Sequence, residues 1–518
     1  MRRATPSVWC DVVRVRERTA TLTRDQLDAV MQPRAVTVQE TRDGDDFVAH
    51  DDLAGRYRRR VQNEELPDGR FRVHQRVEIG SSGNMGMWEA LFGPLLAMHL
   101  ARIGPDQKPP FWFPPDQVDD RGIKTLSRVA TLALVLGYLG TLLTQTITYA
   151  AQEFGANKAA QGLALASVRA DVALALPLTF LADRRGRRWL VVTGTSAACA
   201  LSALGALAPN LIGLTAAQVL ARGVTSACVV AIGVIVAEEM PAGARAWATS
   251  LVTMAGFVGA GLCVFALPLA DRGRGAWRLL YVLPLLFIPL ARRVGSGLQE
   301  TQRFLVHAAN RVSASKTATV LREHRGRFLL IGGSALLLSL FATPAGQFQN
   351  EFLRHERGWS GAQIAVFITV TSIPGGIGVV VGGRLAERGR RLVGATATFA
   401  GVGFTVLQYW SFGALIYVWS TLGTIIGAAA IPALGVYGAE LFPTETRGVA
   451  NGGIGLLSRV GSVVGLVIAG ELGDRIGLSR AFTYLAIGPA ILTVLILVAY
   501  PETAHHTLED LNPEDRPL

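Results

Sequence analysis

Arg169 and Asp171 stand near the middle of an apolar run at 159–182, where charged side chains are out of place. A run of that length meets the ~20 residues an α-helix needs to cross a bilayer. A charge at mid-bilayer costs about 2.5–3.5 kcal/mol on the insertion scale, so it faces a cavity or a partner. Residues two apart on one helix do not face each other. Each therefore needs a partner elsewhere, or one lines a cavity while the other packs. Asp171 is the candidate proton carrier, because a carboxyl can be charged or neutral. Arg169 is the candidate for holding an anionic group. The alternative is a structural role, with both paired to other helices. Arg222, followed by Gly223, places a further charge inside the run at 211–237. Gln347, Gln349 and Asn350 close the run at 327–350, and Gln145 lies in the run at 126–150. Amides both donate and accept hydrogen bonds, as a hydroxyl-rich solute requires; the alternative is a polar helix end.

A second group of charges lies between the runs. Leu181-Ala182-Asp183-Arg184-Arg185-Gly186-Arg187-Arg188 joins the run at 159–182 to that at 189–208. Short loops dense in arginine stay cytoplasmic. Leu385-Ala386-Glu387, with Gly389, Arg390 and Arg391, repeats the pattern one residue shorter. Ala237-Glu238-Glu239-Met240-Pro241-Ala242-Gly243-Ala244-Arg245 and Ala439-Glu440-Leu441-Phe442-Pro443-Thr444-Glu445-Thr446-Arg447 both read A-E-x-x-P-x-x-x-R, 202 residues apart. Glu300-Thr301 and Glu502-Thr503 recur at the same 202-residue offset, and Asp183 and Glu387 at 204. Three matches at nearly one offset mean that the second half of the chain repeats the first. A carboxylate at the end of a span can cap a helix N-terminus or pair with arginine.

The elements that must hold these residues follow from hydropathy. The 518 residues are half hydrophobic with mean hydropathy +0.34, and the apolar residues are unevenly placed. Residues 1–125 are mixed and charged. Beyond them lie twelve apolar runs: 126–150, 159–182, 189–208, 211–237, 247–270, 276–292, 327–350, 360–386, 391–411, 413–439, 448–471 and 478–500. The expected fold is an all-α membrane protein of twelve transmembrane helices in two six-helix pseudo-repeats, preceded by a small α+β soluble domain. Residues 1–103 form the soluble domain and 104–125 a linker whose Phe111, Trp112 and Phe113 suit a membrane interface. The first bundle covers 126–292, a cytoplasmic loop 293–326, the second bundle 327–500 and a cytoplasmic tail 501–518. Within 1–46, only a short helix near 23–31 is expected. Strands are expected at 47–51, 55–62 and 70–79, the last on the alternation of Phe71, Val73, Val77 and Ile79 with charged residues. A helix at 87–103 follows.

The net charge of +11 invites a nucleic-acid partner. The excess arginines lie mostly in loops on one side of the expected membrane, which topology already explains. Cys10, Cys199, Cys228 and Cys263 form no C-x-x-C, so neither a disulfide framework nor a metal site is indicated. No early apolar core marks a cleavable leader. There is no G-x-x-x-x-G-K-[ST] and no nucleophile constellation, so neither ATP hydrolysis nor an enzyme is expected, and no cofactor is required.

The D-R-x-G-R-R order of Asp183, Arg184, Gly186, Arg187 and Arg188 resembles the loop between helices two and three of the major facilitator superfamily, with Thr179 where a glycine is common. The two A-E-x-x-P-x-x-x-R elements, the Gln299–Leu305 stretch (without its two usual prolines) and Pro501-Glu502-Thr503 resemble its sugar-porter-like members. The resemblance implies that Asp183, Glu238, Arg245, Glu387, Arg391, Glu440 and Arg447, with the first loop's arginines, latch the cytoplasmic side while the site faces outward. It also implies that Arg222 belongs to an R-G element tied to proton coupling. The strands and helix of the soluble segment resemble the back half of a START-like lipid-binding domain; a small α+β domain without ligand stays open. Span five, with Gly256, Gly259 and Gly261, lacks the G-P-x-x-G-G element of drug/proton antiporters. Its glycines suit close helix packing, and the absence of that element favours symport over export.

The expected function is secondary transport of a small polar organic solute across the plasma membrane by alternating access, coupled to protons as symport. The partners are the solute, the proton and the lipid bilayer, with no nucleic acid; the chain is expected to be a monomer with both termini cytoplasmic. The alternatives are proton-driven efflux of a drug or metabolite, and a membrane-anchored lipid-binding or sensing protein.

Overall fold

A computed structural model describes residues 13–34, 38, 40–49, 57–80, 88–104, 114, 118–241, 244–300, 324–386, 388–442 and 447–504. The aromatic group Phe111, Trp112 and Phe113 lies outside the described residues. The first part of the chain is a five-stranded antiparallel sheet in the order β1-β5-β4-β3-β2. The strands are β1 Val13–Leu22, β2 Glu40–Asp43, β3 Asp46–Ala49, β4 Tyr57–Glu65 and β5 Phe71–Gly80. Two helices cover one face, α1 Arg24–Val30 and α2 Glu89–Leu100. The alternation in β5 is as expected: Phe71, Val73, Val77 and Ile79 are buried and Arg72, His74 and Arg76 are exposed. Two strands were not expected, β1 and β2. β1 is an edge strand, paired only with β5, and Val15 to Thr19 are all exposed. Val13-Arg14-Val15-Arg16 alternates, yet Val15 is exposed; the ten-residue backbone pairing with β5 and the packing of Leu22 against the core hold the strand.

A buried ion pair locks the sheet to α1. Arg59 and Glu40 both have fully buried side chains. Arg59 donates from Nε to Glu40 Oε1 at 2.8 Å and from Nη1 to Val30 O at 2.8 Å. Tyr57 donates its hydroxyl to the same carboxylate at 2.7 Å, and the guanidinium lies 4.1 Å from the Phe47 ring centroid. Taking this pair out of water is tolerable because both carboxylate oxygens and all three guanidinium nitrogens are hydrogen-bonded.

Twelve helices long and apolar enough to cross a membrane follow. Spans one to six are Arg121–Phe154, Lys158–Ala182, Arg187–Leu207, Leu211–Glu239, Trp247–Arg272 and Arg278–Ser296; spans seven to twelve are Arg325–Gln347, Gly361–Ala386, Arg390–Trp410, Ala414–Gly435, Ala450–Ile476 and Leu478–Ala499. Small residues set the closest packings. A Cβ on Gly259 of span five would run into the Leu134 carbonyl of span one, and one on Gly137 into Gly256. Span five's glycines at 256 and 259 thus do the packing expected of them, whereas Gly261 meets nothing. In the second half, Gly461 and Gly465 admit the carbonyls of Leu336 and Leu340, and two hydroxyl pairs, Ser339–Ser458 at 2.6 Å and Thr343–Ser462 at 2.8 Å, fasten the same seam. The sheet domain touches the bundle through Trp88, whose Nε1 donates to Thr131 Oγ1 of span one at 3.1 Å.

Candidate functional site

Span two is broken at its middle. An α-helix ends at Ser167, a single 3-10 turn covers Val168–Ala170, and a second α-helix starts at Asp171. The turn carries Arg169, and the new helix N-terminus favours the negative charge of Asp171. Asp171 is buried and uses both oxygens. Oδ1 accepts from Arg459 Nη1 of span eleven at 2.7 Å, and Oδ2 accepts from Ser226 Oγ of span four at 2.6 Å. Arg222, one helical turn before Ser226, donates from Nη1 to Gly140 O of span one. Arg169 makes no hydrogen bond or ion pair among the described residues. The structure therefore brings Arg169, Asp171 and Arg222 to one level of the bundle. It adds Arg459, which the sequence reading passed over. The signal was present: Arg459 is a charge ten residues into span eleven, as anomalous as Arg169.

The expected amide readers separate. Asn350 Nδ2 donates to Gln145 Oε1 at 2.8 Å and to Gln145 O at 3.2 Å, joining the second half to the first. Both are buried. Gln349 lines a cavity of about 650 Å³ within the second half, with Thr398, Gln408, Ser420 and Asn451 as further polar lining. Thr398 Oγ1 and Gln408 Nε2 have no hydrogen-bond partner among the described residues. Gln347 lines no part of that cavity. Glu351 was also missed. It is buried beside Thr148 and Gln161 of the first half and contacts His355 at 2.9 Å. Burial pushes its carboxyl up, but His355 and those neighbours outweigh burial and the net direction is down.

The loop charges form two matching networks, one in each half. In the first, Arg187 pairs with Glu238, and Glu300 accepts from the backbone N–H of Arg187 at 3.0 Å and of Arg188 at 3.2 Å. In the second, Arg390 pairs with Glu440, and Glu502 accepts from the N–H of Arg390 at 3.0 Å and of Arg391 at 3.2 Å. Each carboxylate sits on a helix N-terminus, where free N–H groups and the helix dipole favour an anion. For Glu502, burial pushes the carboxyl up, yet the N–H groups of Ala504, Arg390, Arg391 and Thr503 pull harder and hold it below its usual range. Gly186 explains its own presence: its φ is +102°, and Glu300 occupies the space a Cβ would need.

These contacts refine the expected latch. The capping carboxylates are Glu300 and Glu502; the side chains of Asp183, Arg184 and Arg447, and residue Glu387, lie outside the described residues. Arg390, rather than Arg391, carries the ion pair, while Arg391 reaches Leu497 O. Arg245 bonds Met240 O at 3.2 Å rather than Glu238. Each network ties spans within its own half.

Contacts between the halves among the described residues run from mid-membrane to the opposite, far side. Lys158 meets Glu356 at 3.0 Å, and the N–H groups of Lys158 and Ala159 donate to Asp474 at 2.8 and 2.7 Å. Arg354 meets Asp271 at 2.9 Å. Gly162 and Gly470 let span two and span eleven touch backbone to backbone. The bundles are thus closed at the far side and joined at the Asp171–Arg459 pair.

The Major Facilitator Superfamily family model matches residues 129–298 and 315–517. The chain belongs to the major facilitator superfamily. It is a multi-pass membrane transporter and not an enzyme. Solved transporters share this fold. A bacterial homologue of the human lysosomal transporter Spinster, inward-facing and occupied, is 15% identical with TM-score 0.60, covering 76% of this chain and 98% of its own. The nucleoside transporter NupG is 11% identical with TM-score 0.61, covering 73% and 100%. The inward-open xylose transporter XylE from E. coli is 14% identical with TM-score 0.59, covering 74% and 98%. No curated protein is significantly similar to the chain in sequence. Members of the superfamily carry small-molecule solutes between two pseudo-repeated bundles.

Proposed function

We propose that this transporter is a solute–proton symporter of the sugar-porter-like branch, a monomer of the plasma membrane with both termini in the cytoplasm. The orientation rests on the arginine-dense loops at 183–188 and 387–391. On that orientation the far side is outside, and the described bundle contacts correspond to an inward-facing state. The proposed organisation is a sheet domain at 1–103, a linker at 104–125, bundles at 126–292 and 327–500 joined by a loop at 293–326, and a tail at 501–518. The single observation that carries the coupling is Asp171. It is the only carboxylate in the middle of any span, and it bonds a residue of the other bundle. Protonation removes its charge and releases Arg459, so proton binding and bundle movement share one bond. Arg222 holds the span one backbone beside it, and Gln145 with Asn350 close the outer end. The proposed cytoplasmic gate comprises Arg187, Arg188, Glu238, Glu440 and Arg390 with their carboxylate caps.

The test uses the purified chain in liposomes with an entrapped pH dye. Pools of sugars, organic acids, aromatic acids and cationic drugs are added outside. Lumen acidification that one pool causes only when protein is present is the expected outcome. Alkalinisation beyond that in empty liposomes means exchange and puts efflux in place of symport. Asp171→Asn is expected to abolish proton movement; undiminished proton-coupled flux in that variant removes Asp171 from the mechanism.

A further inference from the structure

The mid-membrane cluster is unbalanced in charge. Arg169, Arg222 and Arg459 lie near the middles of spans two, four and eleven. Against them stands one carboxylate, Asp171; every other Asp or Glu of the twelve spans lies towards a span end. Asp171 is already engaged on both oxygens, by Arg459 and Ser226. Arg222 is satisfied only by a backbone carbonyl, and Arg169 has no bonded partner among the described residues. A guanidinium does not shed its proton at any ordinary pH, so the excess of positive charge cannot be relieved by titration. Arg169 and Arg222 are half-buried beside the buried Asp171, so water screens the excess only in part, and an anion from outside the chain would complete the cluster.

From this imbalance we infer that the transported solute is a small organic anion, whose carboxylate or phosphate is held between Arg459 of the second bundle and Arg169 of the first. This deepens the proposed transport function and rests on it. The planar guanidinium presents a fork that matches a carboxylate or phosphate. The Arg459 side chain is 45% exposed although its partner Asp171 is only 7% exposed, so one side of the fork is open to an incoming ligand. Asp171 then acts as an internal stand-in for the solute. When the site is empty it occupies Arg459. When the solute arrives it is displaced and takes a proton, which accompanies the anion. The charged groups facing Asp171 among the described residues are Arg459 from span eleven, Arg222 from span four and Arg169 from its own turn, and no other carboxylate lies mid-span.

The experiment measures thermal stabilisation of the full chain in phosphatidylcholine nanodiscs, which contain no anionic lipid. The probes are benzoate and inorganic phosphate, against the neutral and cationic isosteres benzamide and benzylamine. Stabilisation by an anion and not by its isosteres is expected. Arg459→Gln and Arg169→Gln each weaken that binding about ten- to a hundredfold, the loss of one charged hydrogen-bond pair. Asp171→Asn removes the internal competitor and tightens it, which keeps the idea testable should the arginine variants misfold. Equal stabilisation by benzamide, undiminished binding in both arginine variants, or weaker binding in Asp171→Asn overturns the proposal. Stabilisation by added phosphatidylglycerol with none by soluble anions also overturns it, since the ligand is then a lipid headgroup. The parent reading fails separately: anion binding without proton movement in the liposome assay leaves the site and removes the symport. Proton-coupled uptake of a neutral solute alone does the reverse.

Discussion

At the scale of single residues, the same carboxylate chemistry is used in three settings. Glu40 is wholly enclosed and matched bond for bond by Arg59, Tyr57 and Arg34. Replacing Arg59 by Met strands the Glu40 charge. Loss of about 3–5 kcal/mol is expected, visible as early proteolysis of the sheet domain while the spans stay protected. Glu502 is mostly wet and held by N–H groups. Its carboxyl is lowered in the fold, so its contribution is present above the unfolded value of about 4.3 and disappears as pH falls through the folded one. Glu502→Gln should melt a few degrees below the parent at pH 7, and the two melting curves should converge below about pH 4. Asp171 is the third setting, where the carboxylate is shared between bundles. From the sequence, Asp183 and Glu387 at the span ends are carboxylates that can cap a helix N-terminus or pair with arginine; the Asp183 side chain and Glu387 lie outside the described residues. Among the described residues the caps are Glu300 and Glu502, which arrive from 112 residues downstream.

At the scale of elements, glycines decide which helices may approach. In the first bundle, spans one and five meet at Gly137, Gly256 and Gly259. Gly259→Leu must push the Leu134 backbone away, and overpacking of this kind costs about 1–3 kcal/mol. A lowered unfolding temperature with retained monodispersity would match. Between the bundles, Gly162 rests on the Leu466 carbonyl and Gly470 on Lys158. Gly162→Leu wedges spans two and eleven apart at the far side only. A cysteine placed at position 350 should then react several-fold faster with a membrane-impermeant maleimide added from that side; an unchanged rate would mean that this seam does not hold the outer end closed. The 3-10 turn at Val168–Ala170 lies between the packed far half of span two and its near half, which packs on spans three and four.

At the scale of the whole molecule, the two bundles repeat each other's near-side networks yet differ inside. Arg187–Glu238 with Glu300 and Arg390–Glu440 with Glu502 are the same device twice. In the first half span one packs against span four with Arg222 between them, whereas the second half holds a cavity of about 650 Å³ between spans seven and ten. All described polar bridges between the bundles lie from mid-membrane outward to the far side. A Lys158→Cys, Asp474→Cys pair should therefore form a disulfide in the resting state and hold the far side shut. Flux should fall to background on oxidation and return with reductant; flux unaffected by oxidation would show that this contact need not open during transport.

Sequence alone determined the number and position of the spans, the twofold repeat and the anomalous charges. Each of these is a local requirement. A helix of about twenty apolar residues crosses a bilayer whatever surrounds it, and an arginine there needs an answer whatever supplies it. The edge strands β1 and β2 escaped because their burial does not follow hydropathy: Val15 of β1 is exposed, and the buried residue of β2 is Glu40. Only the tertiary structure decided the partners: that Asp171 bonds Arg459, 288 residues away, that Asn350 meets Gln145, and that the far side is the closed one. A bond between spans depends on how helices are packed and rotated about their axes. That arrangement is settled by small-residue seams and close backbone contact over the whole bundle, which no window of sequence contains.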